Sequence, residues 1–171
     1  MKHIFYLLAV ALVLSSCQEP AKIGFVDNGT VINDYQEKKD LETEFQSKEE
    51  AFRKKADSLG KAFQAEVQEK QKLAQKSTRA KAQELMTGLQ QKQQELQQQM
   101  QIEQQALQME FQSEVDSVIN KVKTFVQDYG KNNGYTFILG TSDAAATVMY
   151  GTDENNLTQT ILNALNETYE K

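Results

Sequence analysis

The chain has 171 residues, of which 39% are hydrophobic, and a formal net charge of −5 at neutral pH. This length corresponds to about one domain. The sequence has one Cys, one His, one Pro and no Trp, so a disulfide within the chain is excluded and the usual pairs of nucleophile and base are hard to form.

The N-terminus has the pattern of a lipoprotein signal. A short positive start is followed by the uninterrupted apolar run Ile4–Leu14, and then by Leu14-Ser15-Ser16-Cys17. The run is shorter than the roughly 20 residues that span a bilayer, and it fits the apolar region of a secretory signal. We therefore predict a signal peptide at 1–16, lipid attachment at Cys17, and an anchor and tether at 17–21. An ordinary signal peptide with an incidental Cys is the alternative.

The mature chain begins with a strand signal and continues as a long helical region. Ile23–Val26 reads as a short strand, and Asp27–Thr30 reads as a turn with helix-capping residues. From about Val31 to Lys131 there is no proline, and Gln, Glu, Lys, Ala and Leu dominate. Without the signal peptide the net charge is −6, with 18 Lys and Arg against 24 Asp and Glu.

Apolar residues recur every 11 positions through the helical region, on two stripes. The first stripe is Leu41, Phe52, Phe63, Ala74, Leu85, Leu96, Leu107, Val118 and Tyr129. The second stripe is Phe45, Ala56, Val67, Thr78, Leu89, Met100, Phe111 and Val122. An 11-residue repeat keeps a narrow apolar line on one helix face. This pattern predicts helices that pack along one face and expose the rest.

The helical region is predicted to fold back on itself as a hairpin. One uninterrupted helix of about 100 residues would be about 150 Å long, and the strand-like segments at its two ends need each other as partners. Weak helix formers at Ser77, Thr78, Thr87 and Gly88 place the turn near the middle, and Gly60 marks a possible bend. The hairpin arm is assigned to 31–131.

The C-terminal part is predicted to complete a small α/β body of residues 22–30 and 132–171. The Gly and Asn residues of Tyr129–Gly134 suit a left-handed helix cap. Tyr135–Leu139 and Thr147–Tyr150 read as strands, and Leu157–Leu165 reads as an amphipathic helix capped by Asn156 or Thr158. The fold class is therefore α+β, mostly α, with a long antiparallel helical hairpin inserted in a body of short strands.

A basic run without any acid falls near the predicted turn. It contains Lys70, Lys72, Lys76, Arg79 and Lys81. Nucleic acid is a poor partner for it, because the chain is acidic overall and the run has no aromatic residue. Acidic polypeptides or anionic lipid headgroups fit better, and a simple solvated helix end is the bland alternative. No phosphate-binding loop or metal-ligand spacing is present, so no cofactor is expected and we predict that the protein is not an enzyme.

The sequence resembles the Skp/OmpH family of periplasmic chaperones. The resemblance rests on Lys22–Asp27 followed by a helix, on the proline-free arm of about 100 residues, and on the C-terminal pattern. That pattern comprises Tyr135–Leu139, Val148–Tyr150 and a helix that begins after Thr158 and ends in Leu165-Asn166. Typical members are basic and soluble, whereas this chain is acidic and carries a lipidation signal.

The resemblance implies a homotrimer whose strands form a small barrel and whose hairpins surround an unfolded outer-membrane protein. It also implies that the basic tip, Lys70 to Lys81, takes part in client binding. We therefore predict an ATP-independent holdase, anchored by lipid at the periplasmic face of the outer membrane, since Gln18 is not the Asp that favours inner-membrane retention. The alternative is a structural or tethering coiled-coil lipoprotein, or an adaptor of an envelope complex.

Overall fold

The computed structural model describes residues 20–142 and 145–169, so the predicted signal peptide, Cys17 and most of the tether lie outside it. Over the described residues the elements are β1 (Ile23–Asp27), α1 (Asn28–Asp34), α2 (Gln36–Gln75), α3 (Arg79–Asn132), β2 (Phe137–Thr141), a short 3-10 helix (Asp153–Asn155) and α4 (Thr158–Thr168). The predicted class, mostly helical with a small strand region, is confirmed.

The two strands pair in parallel, with Ile23 opposite Phe137 and Asp27 opposite Thr141. Parallel neighbours cannot be joined by a tight turn and need a long crossover. Here the crossover is the whole of α1, α2 and α3. The other edge of β1 is occupied by a single bridge from Phe25 to Asn156. The body therefore closes only when the two ends of the hairpin lie side by side.

The predicted capping residues at the first helix act as expected. The Asp27 side chain accepts a hydrogen bond from the Thr30 N–H at 2.8 Å, which satisfies one of the free donors at the start of α1. Asn28–Thr30 is thus the first turn of α1 rather than a loop. Sequence analysis missed the break at Tyr35, whose extended backbone (φ −62°, ψ 128°) separates α1 from α2.

The hairpin consists of α2, with 40 residues, and α3, with 54 residues. At 1.5 Å per residue these helices are about 60 Å and about 80 Å long. The turn falls at Lys76–Thr78 and includes Ser77 and Thr78, the first pair of predicted weak helix formers. Gly60 and Gly88 lie inside continuous helix, so neither the possible bend nor the later turn position is realised.

The two stripes of the 11-residue repeat form the seam between α2 and α3. All 16 apolar stripe positions are buried or half-buried, and the one polar position, Thr78, is exposed in the turn. The rings of Phe45 and Phe111 pack across the seam with their centroids 5.1 Å apart. The periodicity therefore identified the residues that hold the hairpin together.

Four ion pairs cross from one arm to the other beside the seam. They join Glu37 to Lys121, Lys48 to Glu110, Lys55 to Glu103 and Glu66 to Lys92. From each pair to the next, the residue on α2 lies further along the sequence. Its partner on α3 lies earlier in the sequence by the same number of residues. Each exposed pair contributes little to stability, but together they fit only one register of the two helices.

The hydrophobic core lies in the body, where the base of the hairpin meets β1 and α4. Its buried residues are Val26, Val31, Tyr35, Val118, Val122, Leu157, Ile161, Leu162 and Leu165. The chain leaves α3 through Gly134, whose φ of 68° is the left-handed conformation predicted for this cap. The base of α3 is thus part of the core, and the arm above it is not.

The prediction of a third strand at Thr147–Tyr150 is wrong for the single chain. The segment is irregular, and the side chains of Met149 and Tyr150 are 88% and 86% exposed. A strand forms only where it has a partner. Both edges of β1 are occupied, by β2 and by Asn156, and the segment does not pair with the remaining edge of β2. It instead follows a local turn in which the Thr147 N–H donates to the Ala145 carbonyl.

Replacing Phe45 by Ala should lower the free energy of unfolding by about 3 kcal/mol, because it removes a buried ring and that ring's aromatic contact with Phe111. Phe45 is 5% exposed. Met109→Ala, on the solvent side of α3 at 67% exposure, should cost less than about 0.5 kcal/mol. Urea unfolding at a fixed protein concentration measures both. Equal losses in the two variants would contradict the seam as the main support of the arm.

Candidate functional site

The free end of the hairpin is a turn formed by Lys76–Thr78. The Leu73 carbonyl accepts hydrogen bonds from the Lys76 N–H at 3.1 Å and from the Ser77 hydroxyl at 2.8 Å. The Thr78 hydroxyl oxygen accepts one from the Lys81 N–H at 3.4 Å as the N-cap of α3. Because local groups satisfy the ends of both helices, the turn is closed by its own residues.

The five predicted client-binding cations come together at this end. They lie in the last two turns of α2, in the turn and in the first turn of α3: Lys70, Lys72, Lys76, Arg79 and Lys81. Lys70 pairs with Glu66 at 2.7 Å and Lys81 with Glu84 at 2.8 Å. Among the described residues, Lys72, Lys76 and Arg79 have no carboxylate partner. We call these three exposed residues the tip cations.

Glu66 marks the boundary between the tip and the rest of the arm, which we call the shaft. Hydrogen bonds from Lys70 and then from Lys92 lower the pKa of its carboxyl, since both favour the charged form. Lys92 belongs to the opposite arm, so Glu66 ties the two helices together just below the tip. Lys70 is therefore held within the arm, and of the five predicted client-binding residues only the tip cations lack a carboxylate partner among the described residues.

Sequence analysis missed four large apolar residues that lie exposed on the arms: Leu73, Met86, Ile102 and Met109. Each lies one or two positions from a stripe residue, which on an α-helix turns its side chain by about 100° to 200° away from the seam. Ile102 and Met109 are 58% and 67% exposed and one heptad apart, so they share one face of α3. Apolar residues that fall outside both stripes were the available signal.

Two shallow grooves follow the seam and leave part of its apolar lining accessible. The first, of about 410 Å³, is lined mainly by Phe45, Phe52, Leu107 and Phe111. The second, of about 470 Å³, lies nearer the tip between Leu59, Phe63, Leu96 and Met100. Neither is an enclosed cavity that would bury most of a small molecule. The arm instead offers a series of small apolar contacts along its length.

The body has a second apolar surface, on one face of its sheet. Ile23 and Phe137 are register partners, as are Phe25 and Leu139, and side chains at alternate positions share one face. Ile23, Phe137 and Leu139 are exposed, whereas Val26 on the opposite face is buried in the core. One face of the sheet is therefore packed and the other is open.

The described residues show no sign of a metal site or a membrane-spanning helix. No group of three or more His, Cys, Asp or Glu residues among them is placed to hold a metal ion. None of the helices in residues 20–142 and 145–169 combines the length and the apolar character needed to cross a membrane. The surfaces available in this part of the chain are the tip, the outer face of α3, the grooves and the open sheet face.

Comparisons with known proteins agree with this architecture. Residues 22–165 match the family described as outer membrane protein (OmpH-like). A crystal structure of a candidate outer membrane chaperone (OmpH-like) from Caulobacter crescentus CB15 has the same fold, with a TM-score of 0.76 at 12% sequence identity, over 89% of this chain and 88% of that one. A comparison with curated proteins found no match. Since the family match covers the hairpin and both parts of the body, the chain belongs to the OmpH-like family of outer membrane proteins.

Proposed function

We propose that this protein is an ATP-independent holdase chaperone that binds unfolded outer-membrane or exported proteins in the cell envelope. The observation that carries the proposal is that different residues of the arm stabilise the hairpin and face the solvent. The seam and its ion pairs stabilise the hairpin internally, while Ile102, Met109, Leu73 and the tip cations remain exposed. A long arm that keeps apolar and basic groups available suits many weak contacts with an unfolded chain.

The chemistry of the arm favours reversible binding. Burial of one partly exposed apolar side chain contributes about 1 kcal/mol, so a client held by a few such contacts also dissociates readily. Half of the residues from Leu89 to Gln112 are Gln, whose amide both donates and accepts hydrogen bonds. These side chains match the exposed peptide groups of an unfolded client without requiring one sequence.

We propose further that the working unit is a homotrimer in which the bodies share a barrel. A two-stranded sheet is marginal alone, and β2 pairs only with β1 within the described chain. The open face with Ile23, Phe137 and Leu139, and the unpaired segment Thr147–Tyr150, would be covered by strands of other copies.

The proposed location is the periplasmic face of the outer membrane, with Cys17 as the lipid attachment site. Only residues 18–21 and Lys22 separate Cys17 from β1, and fully extended they reach at most about 18 Å. The body would then lie close to the bilayer and the arms would extend away from it. In this arrangement the tip cations meet clients before they reach the membrane.

The structural alternative, a tethering strut, is favoured by one observation: α3 is continuous over 54 residues and is joined to α2 by four ion pairs. A strut would dock its tip on one fixed partner. Photocrosslinkers at Thr78 and Thr87 distinguish the two functions in cells. Many different unfolded proteins in the crosslinked pool support the holdase, whereas a single stoichiometric product supports the tether.

The mature protein with Cys17→Ser should suppress aggregation of a urea-denatured outer-membrane barrel protein on dilution, without ATP and at stoichiometric ratio. Ile102→Ser with Met109→Ser should weaken client binding roughly 30-fold, because about 1 kcal/mol is lost at each of the two positions. Light scattering and a fluorescence titration measure the two effects. Gln98→Ser with Gln105→Ser, also one heptad apart and exposed on α3, is the matched control. Absence of suppression by the unsubstituted protein would refute the holdase.

Replacing the tip cations with Gln should slow association with an acidic client about threefold to tenfold at low salt and flatten its salt dependence, since such charges act mainly on encounter. Stopped-flow fluorescence measures the rate. The control removes the same charge from the shaft, where each cation already pairs with a carboxylate: Arg53→Gln, Lys54→Gln and Lys61→Gln. Equal slowing by both triple variants would mean that net charge, and not the tip, governs capture.

The purified protein should be oligomeric in light scattering at micromolar concentration. Phe137→Ser with Leu139→Ser should shift it towards monomer, because both changes fall on the open face of the sheet. Ile102→Ser with Met109→Ser makes a similar chemical change on the arm and should leave the oligomer intact. A stable, well-folded monomer of the unsubstituted protein would contradict the shared barrel.

A further inference from the structure

The start of α2 is capped in an unusual way. The break at Tyr35 leaves the first N–H groups of α2 without partners in the preceding turn, and Tyr35 itself makes no side-chain capping bond. The other helices use neighbouring residues: Asp27 caps α1, Thr78 caps α3, and the Asn156 side chain accepts from the Thr158 N–H at 3.0 Å. The cap of α2 must come from elsewhere in the fold.

Asn166 provides that cap from the opposite end of the chain. Its side-chain oxygen accepts a hydrogen bond from the Gln36 N–H at 2.9 Å, across 130 residues of sequence. Asn is among the residues best suited to this role. Here the acceptor lies in α4, so the bond both satisfies the helix end and attaches the first arm helix to the last element of the body.

Tyr169 makes two further links from the C-terminal end of the body, one to the break at Tyr35 and one to the start of α2. Its ring packs edge-on against Tyr35, with centroids 5.9 Å apart and an interplanar angle of 67°, a favourable geometry for aromatic pairs. Its hydroxyl donates to an Asp40 carboxylate oxygen at 3.2 Å. The other Asp40 oxygen accepts from the Gln36 side-chain amide at 2.9 Å. We call the contacts of Asn166 and Tyr169 with α2 the latch.

The break at Tyr35 is also held from the side of α3. The Tyr35 hydroxyl donates to Glu37 at 2.9 Å, and Glu37 forms an ion pair with Lys121 of α3. Burial, and then the bond to Glu37, raise the pKa of Tyr35 above its usual range, so the phenol keeps its proton and its donor role even in mildly alkaline solution. The break is therefore surrounded by contacts and does not act as a free joint.

The arm is attached to the body through both of its helices. The base of α3 is fixed by Val118 and Val122 in the hydrophobic core. We propose that Asn166 and Tyr169 are positioning residues that fix α2 to the body and thereby set the angle at which the arm leaves it. If this attachment is lost, the arm pivots on α3 alone. This consequence rests on the proposed function: the angle sets the width of the space that the arms of an assembly enclose around a client.

The test measures the arm angle directly and without a client. In the Cys17→Ser background, spin labels at Ser58→Cys on α2 and Thr136→Cys beside β2, both exposed sites, report the distance between arm and body by pulsed electron paramagnetic resonance. Labelled chains are diluted with excess unlabelled chains, so that only distances within one chain contribute. Amide hydrogen exchange at Gln36 reports the capping bond in the same samples.

Asn166→Ala should broaden the distance distribution about twofold, as expected for a released hinge, and speed exchange at Gln36 about fivefold to tenfold, since it removes the cap of that N–H. Asn166→Asp keeps the acceptor and should remain close to the unsubstituted protein. Asn163→Ala is the matched control, because Asn163 is exposed on the same helix and its side chain bonds to Gln159 within α4.

Tyr169→Phe provides a milder variant that retains the ring contact with Tyr35 and loses the bond to Asp40; it should broaden the distribution less than Asn166→Ala. If neither variant broadens the distribution, the bonds are local caps without a positioning role and the proposal is overturned. Because no client is present, this outcome is independent of the aggregation assay. A protein that fails as a holdase can still show the latch, and a protein without the latch can still suppress aggregation.

Discussion

The apolar seam between α2 and α3 is the interaction on which the rest of the molecule depends. The arm has no core of its own apart from this line, since the remaining helix surface is solvated and mostly polar, with single exposed apolar side chains such as Ile102 and Met109. With Phe45, Leu89, Val118 and Val122 buried along it, the two helices stabilise each other by packing their apolar faces together. Everything exposed on the arm remains exposed because the seam alone is sufficient to keep the helices paired.

The seam also makes the body possible. Ile23 and Phe137 are neighbours in the sheet although most of the chain separates them, and closing so long a flexible loop has an entropic cost. A hairpin that folds from its own local turn at Lys76–Thr78 brings the two chain ends together beforehand. The sheet, α4 and the latch at Asn166 then assemble on ends that are already adjacent.

The parts of the fold that were predictable from sequence are those set by local or periodic signals. The stripes identified the seam, the weak helix formers from Ser77 to Gly88 gave the region of the turn, and Gly134 marked the end of α3. The break at Tyr35 was not predictable, because its cap, Asn166, is 130 residues distant and neither residue is unusual in its own segment. Thr147–Tyr150 has the composition of a strand but lacks a partner in one chain, which composition does not reveal.

The candidate site was likewise predictable from the sequence only in part. The clustering of the basic residues at the tip follows from where the turn lies, so sequence located them. Their availability also depends on acids just outside the run: Glu66 pairs with Lys70 and Glu84 with Lys81, each within one helix, whereas Lys72, Lys76 and Arg79 have no carboxylate partner among the described residues. The spacing of these two pairs was readable from the sequence, whereas the pair of Glu66 with Lys92 follows from the register of the two helices, which the stripes alone did not specify.

The repeating ion pairs have a consequence for the length of the arm. The seam recurs with one period in both helices, and the interval from Glu37 to Lys48 and that from Lys55 to Glu66 each equal this period. Removing one period from each arm at matching positions therefore restores the same partners beyond the deletion. One period is close to three full helical turns, so side chains keep their facing while the reach changes by about 16 Å. One body can thus carry arms of several discrete lengths, each longer or shorter by a whole period.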